Sequence, residues 1–200
     1  GLSQKAGPVV SDVRLSRRAP TATNRLGEGQ ADLLLALDQL VAASDKGLLT
    51  ADPSRTTVVG STSPTPTGDM ITHLELHLPA TADLAGRIAR LTRPDAQHWA
   101  DAQAVTTELF GSATTANLFV VGMAVQAGCL PLAPVDIETA IGLNGVAVQA
   151  NIDAFRWGRA QIVDPDAVAE ARRPAHLADT ADSDPPKADP VLPKEVAAAT

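Results

Sequence analysis

Apolar and polar residues alternate with period two over PVVSDVRL (8–15), where Val9, Val13 and Leu15 fall on one side and Asp12 and Arg14 on the other. This is the pattern of a half-exposed strand. ADLLLAL (31–37) and TTVVGST (56–62) are short runs of nearly continuous apolar character, which predicts buried strands of an α/β sheet. Between them DQLVAASDKGLL suits a helix. TADLAGRIARLT (81–92) predicts another, with Thr81 as N-cap and Leu84, Ile88 and Leu91 on one side.

The pattern then changes. TTANLFVVGMAVQAG (114–128) is apolar almost all round and ends on Gly128, predicting a buried helix with a glycine stop. PVDIETAIGL (134–143) starts with Pro at a first-turn position and puts Ile137 and Ile141 on one face. After the Asn144-Gly145 break, VAVQANIDAFRWGR (146–159) spaces Val148, Ile152 and Phe155 helically and ends on Arg156 and Arg159, which would complement the helix dipole in the last turn. From Ala171 the texture is Pro, Ala and Asp, with 5 of the 15 prolines in the last 30 residues; it reads as a linker or disordered tail. The expectation is an α/β domain over residues 1–170, a layered sheet with flanking helices and a helical C-terminal part, followed by a tail over 171–200.

Composition narrows the function classes. No apolar run approaches the roughly 18 to 20 residues that cross a bilayer, and no secretory signal is legible, so the cytoplasm is the expected compartment. The single Cys129 forms no intramolecular disulfide and cannot supply the thiolate set of an iron–sulfur cluster or structural zinc. Net charge −7 argues against nucleic-acid binding. The charge is uneven: residues 1–30 carry a net +3, from Lys5, Arg14, Arg17, Arg18 and Arg25 against Asp12 and Glu28, and the rest of the chain −10. Those cations either greet an anionic ligand or keep a strand edge solvated.

Candidate chemistry is sparse. GEGQAD (27–32) lacks the third glycine of a dinucleotide fingerprint and precedes its strand instead of following one, so it reads as a turn. VVGSTS (58–63) has no glycine two residues beyond either serine and fails as a nucleophile elbow. In HLELH (73–77) a strand would project His73, Glu75 and His77 together, which suits either a facial metal triad or an ordinary solvated face. STSPTPTGD (61–69) follows a predicted strand at the end where α/β sheets place ligand loops; it either meets a ligand or partner through Thr65, Thr67 and Gly68 or is a Pro-stiffened surface loop. Trp99 and Trp157 read as core or interface fillers. No nucleophile with its base and no cluster ligands emerge.

Several stretches taken together resemble one family. GLSQKAGPVVSDVRLS (1–16), GEGQADLLLALD (27–38), RTTVVGSTSPTPTG (55–68), and ANLFVVGMAVQAGCLPL with IETAIGLNGVAVQANIDAFRWGR (116–159) are similar to the gamma domain of 2-oxoacid:ferredoxin oxidoreductases, in particular the indolepyruvate type and its long fused-chain form. The resemblance implies a thiamine-diphosphate enzyme that oxidatively decarboxylates a 2-oxo acid, sends electrons through iron–sulfur clusters to ferredoxin and transfers the acyl group to coenzyme A. Thiamine and clusters are then expected on partner domains or subunits, this chain binding no cofactor, supplying no catalytic residue and contributing subunit contacts and a coenzyme-A-side surface. By the same resemblance Gln4 and Lys5 are candidates for facing an anionic group, with Thr65 and Thr67 secondary. Family gamma domains begin with a strand, a G-x-G-G-x-G turn, a helix and a second strand ahead of the GL-x-QK loop; this chain starts at that loop, which implies a fragment of a longer protein or a partner that completes the sheet. Two alternatives stand beside this reading: a non-catalytic binding or assembly module on the same scaffold, and a metalloenzyme built on HLELH.

Overall fold

The computed structural model describes residues 9–16, 25–65 and 79–173, which fall into two compact units, Gly1–Asp101 and Ala102–Thr200. The first is α/β. Strands β1 (Leu33–Ala36), β2 (Thr57–Ser61) and β3 (Gln97–Ala100) form a parallel sheet in the order β1-β2-β3. Leu33 is paired with Thr57 and Ala36 with Gly60; Val58 pairs with Gln97 and Ser61 with Ala100. The central position of β2 explains its composition: Val58 and Val59 are wholly buried, as both faces of a parallel sheet must be covered. The core around it is built on small side chains, Ala36, Ala42 and Ala43 packing with Leu48, Val58 and Ile88. Just before β2, the buried Thr56 hydroxyl donates to the Ala31 carbonyl at 2.7 Å and accepts from the Asp52 N–H at 2.9 Å, tying the entries of β1 and β2 together.

The helix anticipated over 38–49 is two short ones, α1 (Gln39–Ala42) and α2 (Asp45–Leu48). Asp38 caps α1, its Oδ1 accepting from Leu40 N and Val41 N. Ser44 ends that helix and starts the next: its Oγ donates to Val41 O at 2.7 Å and accepts from Gly47 N at 3.1 Å, the local competition with helical bonding expected of serine. Helix α3 (Thr81–Leu91) is capped at Ala80 and not at Thr81, with no side-chain cap. Of its anticipated face Ile88 is fully buried and Leu84 packs on the core, while Leu91 is largely exposed.

Residues 9–16 are a correction. They form no strand: Val9 and Val13 are 77% and 73% exposed, and the segment is held by side chains, Asp12 accepting from Leu26 N and Arg14 donating to Arg25 O and Gln30 Oε1. Alternation creates a strand only where a neighbouring ladder satisfies the backbone, and among the described residues none pairs here. GEGQAD is the turn that was expected, with Gln30 N donating to Gly27 O.

The second unit is helical: α4 (Ala102–Phe110), α5 (Ala116–Gln126), α6 (Pro134–Asn144), α7 (Val148–Val163) and α8 (Pro165–Ala171). Helix α5 ends as its sequence promised. Gly128 takes the left-handed conformation, with Gly128 N donating to Val125 O and Cys129 N to Ala124 O, the paired bonds of a Schellman cap. Val125, Ile141 and Phe155 form a buried cluster joined by Ile137, Val148 and Ile152, which confirms the apolar faces expected of α6 and α7. Helices α5 and α7 cross at backbone contact: a Cβ on Gly122 would lie 2.0 Å from Phe155 O, and one on Gly158 1.9 Å from Phe119 O. Arg156 and Arg159 do not occupy the last turn of α7, because the helix continues to Val163. Trp157 is buried, as expected of a core filler. A bidentate Arg172–Glu108 pair joins the segment after α8 to α4. No described helix is long and apolar enough to cross a membrane.

Candidate functional site

The three strands are parallel, so their carboxyl ends open on one edge of the sheet, where the chain leaves β1 through Leu37-Asp38, β2 through Thr62–Thr65 and β3 through Asp101. That edge is where open α/β sheets place ligands. A hydrogen-bonded chain links two of the three exits. The Ser63 hydroxyl donates to Asp101 Oδ1 at 2.6 Å, and Ser61 and Ser63 Oγ stand 2.7 Å apart. Since Ser63 has spent its one hydroxyl proton on the carboxylate, Ser61 is the donor between the two serines. Ser61 Oγ in turn accepts from Ser63 N at 3.1 Å, and Thr62 N donates to Ala100 O at 2.9 Å. Both serines are buried, 4% exposed each, so the chain orders the loop without offering an open nucleophile.

The strand beneath is fitted as tightly. A Cβ on Gly60 would meet Trp99 Cζ3 at 2.6 Å and Ala36 O at 2.8 Å, so glycine is what lets the Trp99 ring lie close to the middle strand. Trp99 is half-buried and its indole N–H donates to Gln97 Oε1 at 3.1 Å.

The second unit holds two contrasting arginines on α7. Arg156 makes a bidentate pair with Glu138 of α6, Nε to Oε1 at 2.8 Å and Nη2 to Oε2 at 2.7 Å, which holds its pKa above the ordinary guanidinium value. Arg159 is 1% exposed; its Nε donates to the neutral Gln126 Oε1 at 3.0 Å, while Nη1 is buried without a partner. Burial pushes its pKa below the ordinary value, against a smaller opposing pull from Glu138.

The model of the pyruvate ferredoxin/flavodoxin oxidoreductase family matches residues 1–161. The chain belongs to this family. No curated protein and no solved structure matches it. Its membership makes the chemistry that of 2-oxo acid oxidation coupled to ferredoxin or flavodoxin, and invites a test of whether the side chains present suit the cofactors of such enzymes.

A cluster does not fit them. Cys129 is the one thiol, half-buried, and burial pushes its pKa up, away from the thiolate that iron requires. Among the described residues no three His, Cys, Asp or Glu side chains gather as a metal set. HLELH (73–77) lies outside the described residues, as do Gln4, Lys5 and Thr67. Thr65 is half-buried in the loop that the serine–aspartate chain pins. Sequence reading singled out this loop but not Asp101, which is 38 positions from Ser63. The available signal was an Asp directly after a strand, and QHWA was not itself recognised as one.

Proposed function

We propose that this chain is the gamma segment of an indolepyruvate-type 2-oxoacid:ferredoxin oxidoreductase, contributing subunit contacts and a coenzyme-A-side surface. The observation that carries the proposal is the family match over residues 1–161 in a chain with one cysteine. The overall reaction breaks the bond between the carboxyl and carbonyl carbons of the 2-oxo acid, releases carbon dioxide and passes two electrons to one-electron ferredoxins. The acyl carbon becomes bonded to the coenzyme A sulfur, whose thiol proton is released. Thiamine diphosphate, held by another domain or subunit, supplies the electron sink for decarboxylation when bound, and clusters held elsewhere supply the electron path. Residues of this chain bind and orient. The edge at Ser61–Thr65 and Asp101 is the surface offered to coenzyme A; Gln4, Lys5 and Thr67, which lie outside the described residues, remain candidates for facing its anionic groups.

The test is co-expression with thiamine- and cluster-bearing polypeptides of the same enzyme, followed by assay of viologen reduction. Reduction that depends on both an aryl 2-oxo acid and coenzyme A is expected. A complex that binds thiamine diphosphate yet turns over no aryl or branched 2-oxo acid would instead indicate an assembly module.

A further inference from the structure

The loop after β2 is held more firmly than a surface connection needs. Two hydrogen bonds, Ser63 Oγ to Asp101 Oδ1 and Thr62 N to Ala100 O, fasten its first residues to the end of β3, and two more between Ser61 and Ser63 brace the turn itself. Two buried hydroxyls joined to a half-buried carboxylate fix a directional geometry that an apolar filling would leave free. What it fixes is the direction in which Pro64 and Thr65 leave the edge. The charge at that edge is equally specific. The described residues that follow the three strands, 37–38, 62–65 and 101, include the carboxylates of Asp38 and Asp101 and no Lys or Arg. Carboxylates at short range repel phosphate, whereas a carboxylate oxygen accepts from an amide N–H and the hydroxyl of half-buried Thr65 can pair with either an amide N–H or a C=O.

We propose that Ser63 and Asp101 are positioning residues that hold the 61–65 loop against the neutral, amide-bearing pantetheine arm of coenzyme A, and that the phosphate-rich end of the cofactor lies off this edge. The proposal rests on the coenzyme A reading above. It assigns the loop to one part of the ligand, and it leaves Ser61 and Ser63 acting through the backbone they orient, since both are buried.

The experiment uses the assembled enzyme with its thiamine- and cluster-bearing partners, comparing wild type with Ser63→Ala, Asp101→Asn and Asp101→Ala. Three quantities are read: KM for coenzyme A, KM for the 2-oxo acid, and inhibition by two fragments of coenzyme A, pantetheine and adenosine 3′,5′-bisphosphate. Ser63→Ala is expected to raise the coenzyme A KM about tenfold, as loss of a hydrogen bond to a charged group does, with kcat and the 2-oxo acid KM unmoved. It should weaken pantetheine inhibition and leave adenosine bisphosphate inhibition as it was. Asp101→Asn keeps an acceptor oxygen for Ser63 and should fall between wild type and Asp101→Ala, a gradation that also guards against a variant that fails to assemble. An unchanged coenzyme A KM, an equal rise in both KM values, or weakened inhibition by the bisphosphate alone would overturn the positioning role; so would failure of pantetheine to inhibit the wild-type enzyme. A wild-type complex with no coenzyme A dependence would overturn the functional reading itself, and is told apart because it needs no variant.

Discussion

Replacing Gly158 by Ala would put a methyl carbon 1.9 Å from the Phe119 carbonyl oxygen and 2.7 Å from its carbonyl carbon, both backbone atoms of α5. An ordinary contact needs about 3.4 Å, so the two helices must part by roughly 1.5 Å or slide, and no side-chain rotation relieves the clash. Overpacking of this kind costs about 1–3 kcal/mol, and a backbone obstacle places it at the upper end. Against it stands the helix propensity that Ala gains over Gly, about 1 kcal/mol. The net expectation is a loss of about 2 kcal/mol, and Gly122→Ala, blocked by Phe155 O at 2.0 Å, should behave alike. Gly142 of α6 provides the opposite sign. Nothing lies within 4 Å of a Cβ built there, so Gly142→Ala collects the propensity gain alone and should stabilise by about 0.5–1 kcal/mol. Urea unfolding of the full chain, followed by circular dichroism at 222 nm, reads all three variants against wild type. Gly158→Ala as stable as wild type, or Gly142→Ala destabilised as much as Gly158→Ala, would refute the close helix crossing.

Two further outcomes test the buried polar groups. Arg159→Met, which keeps volume and removes a buried cation with an orphaned Nη1, should leave stability within about 1 kcal/mol of wild type or raise it, whereas Arg159→Ala should lose about 2–5 kcal/mol through the cavity; thermal unfolding of both separates packing from charge. The Cys129 thiol, raised by burial, favours its neutral form, so alkylation by iodoacetamide should accelerate only at higher pH than for a free thiol; the pH midpoint of the labelling rate checks this, and a midpoint below that of free cysteine would refute it. The linked stability carries the same sign: the folded state holds this proton more tightly, so that contribution is present below the unfolded thiol pKa and is lost as pH rises through the folded one.

Much of the fold is legible where a residue's local pattern and its final environment agree. The Val-rich run of β2 reads as a buried strand and is one, and α5, apolar almost all round and closed by Gly128, carries its own burial and its own stop. The same reasoning fails where the environment is supplied from a distance. Residues 9–16 have the alternation of a strand and, among the described residues, no ladder to join, while QHWA (97–100), without a β-branched residue, becomes a strand because β2 pairs with it. Asp38 and Ser44 both show cap chemistry in the sequence, yet the break between α1 and α2 depends on which of two competing hydrogen-bond patterns Ser44 adopts.

The candidate site divides in the same way. The sequence by itself determined the class of protein: a chain with one cysteine, an α/β first part and a helical C-terminal part, carrying the stretches of an oxidoreductase family whose model matches residues 1–161. It also marked the STSPT loop as a place where a ligand edge would begin. Only the tertiary structure decided what holds that loop, because the Asp101 carboxylate reaches Ser63 through the parallel pairing of β2 with β3, across 38 residues of chain. It likewise decided that Arg156 is paired and Arg159 buried, since a helix pattern states which side chains share a face and not which face another helix will cover. The physical reason is common to both: periodicity is a property of neighbours in sequence, whereas hydrogen-bond partners and desolvation are set by neighbours in space.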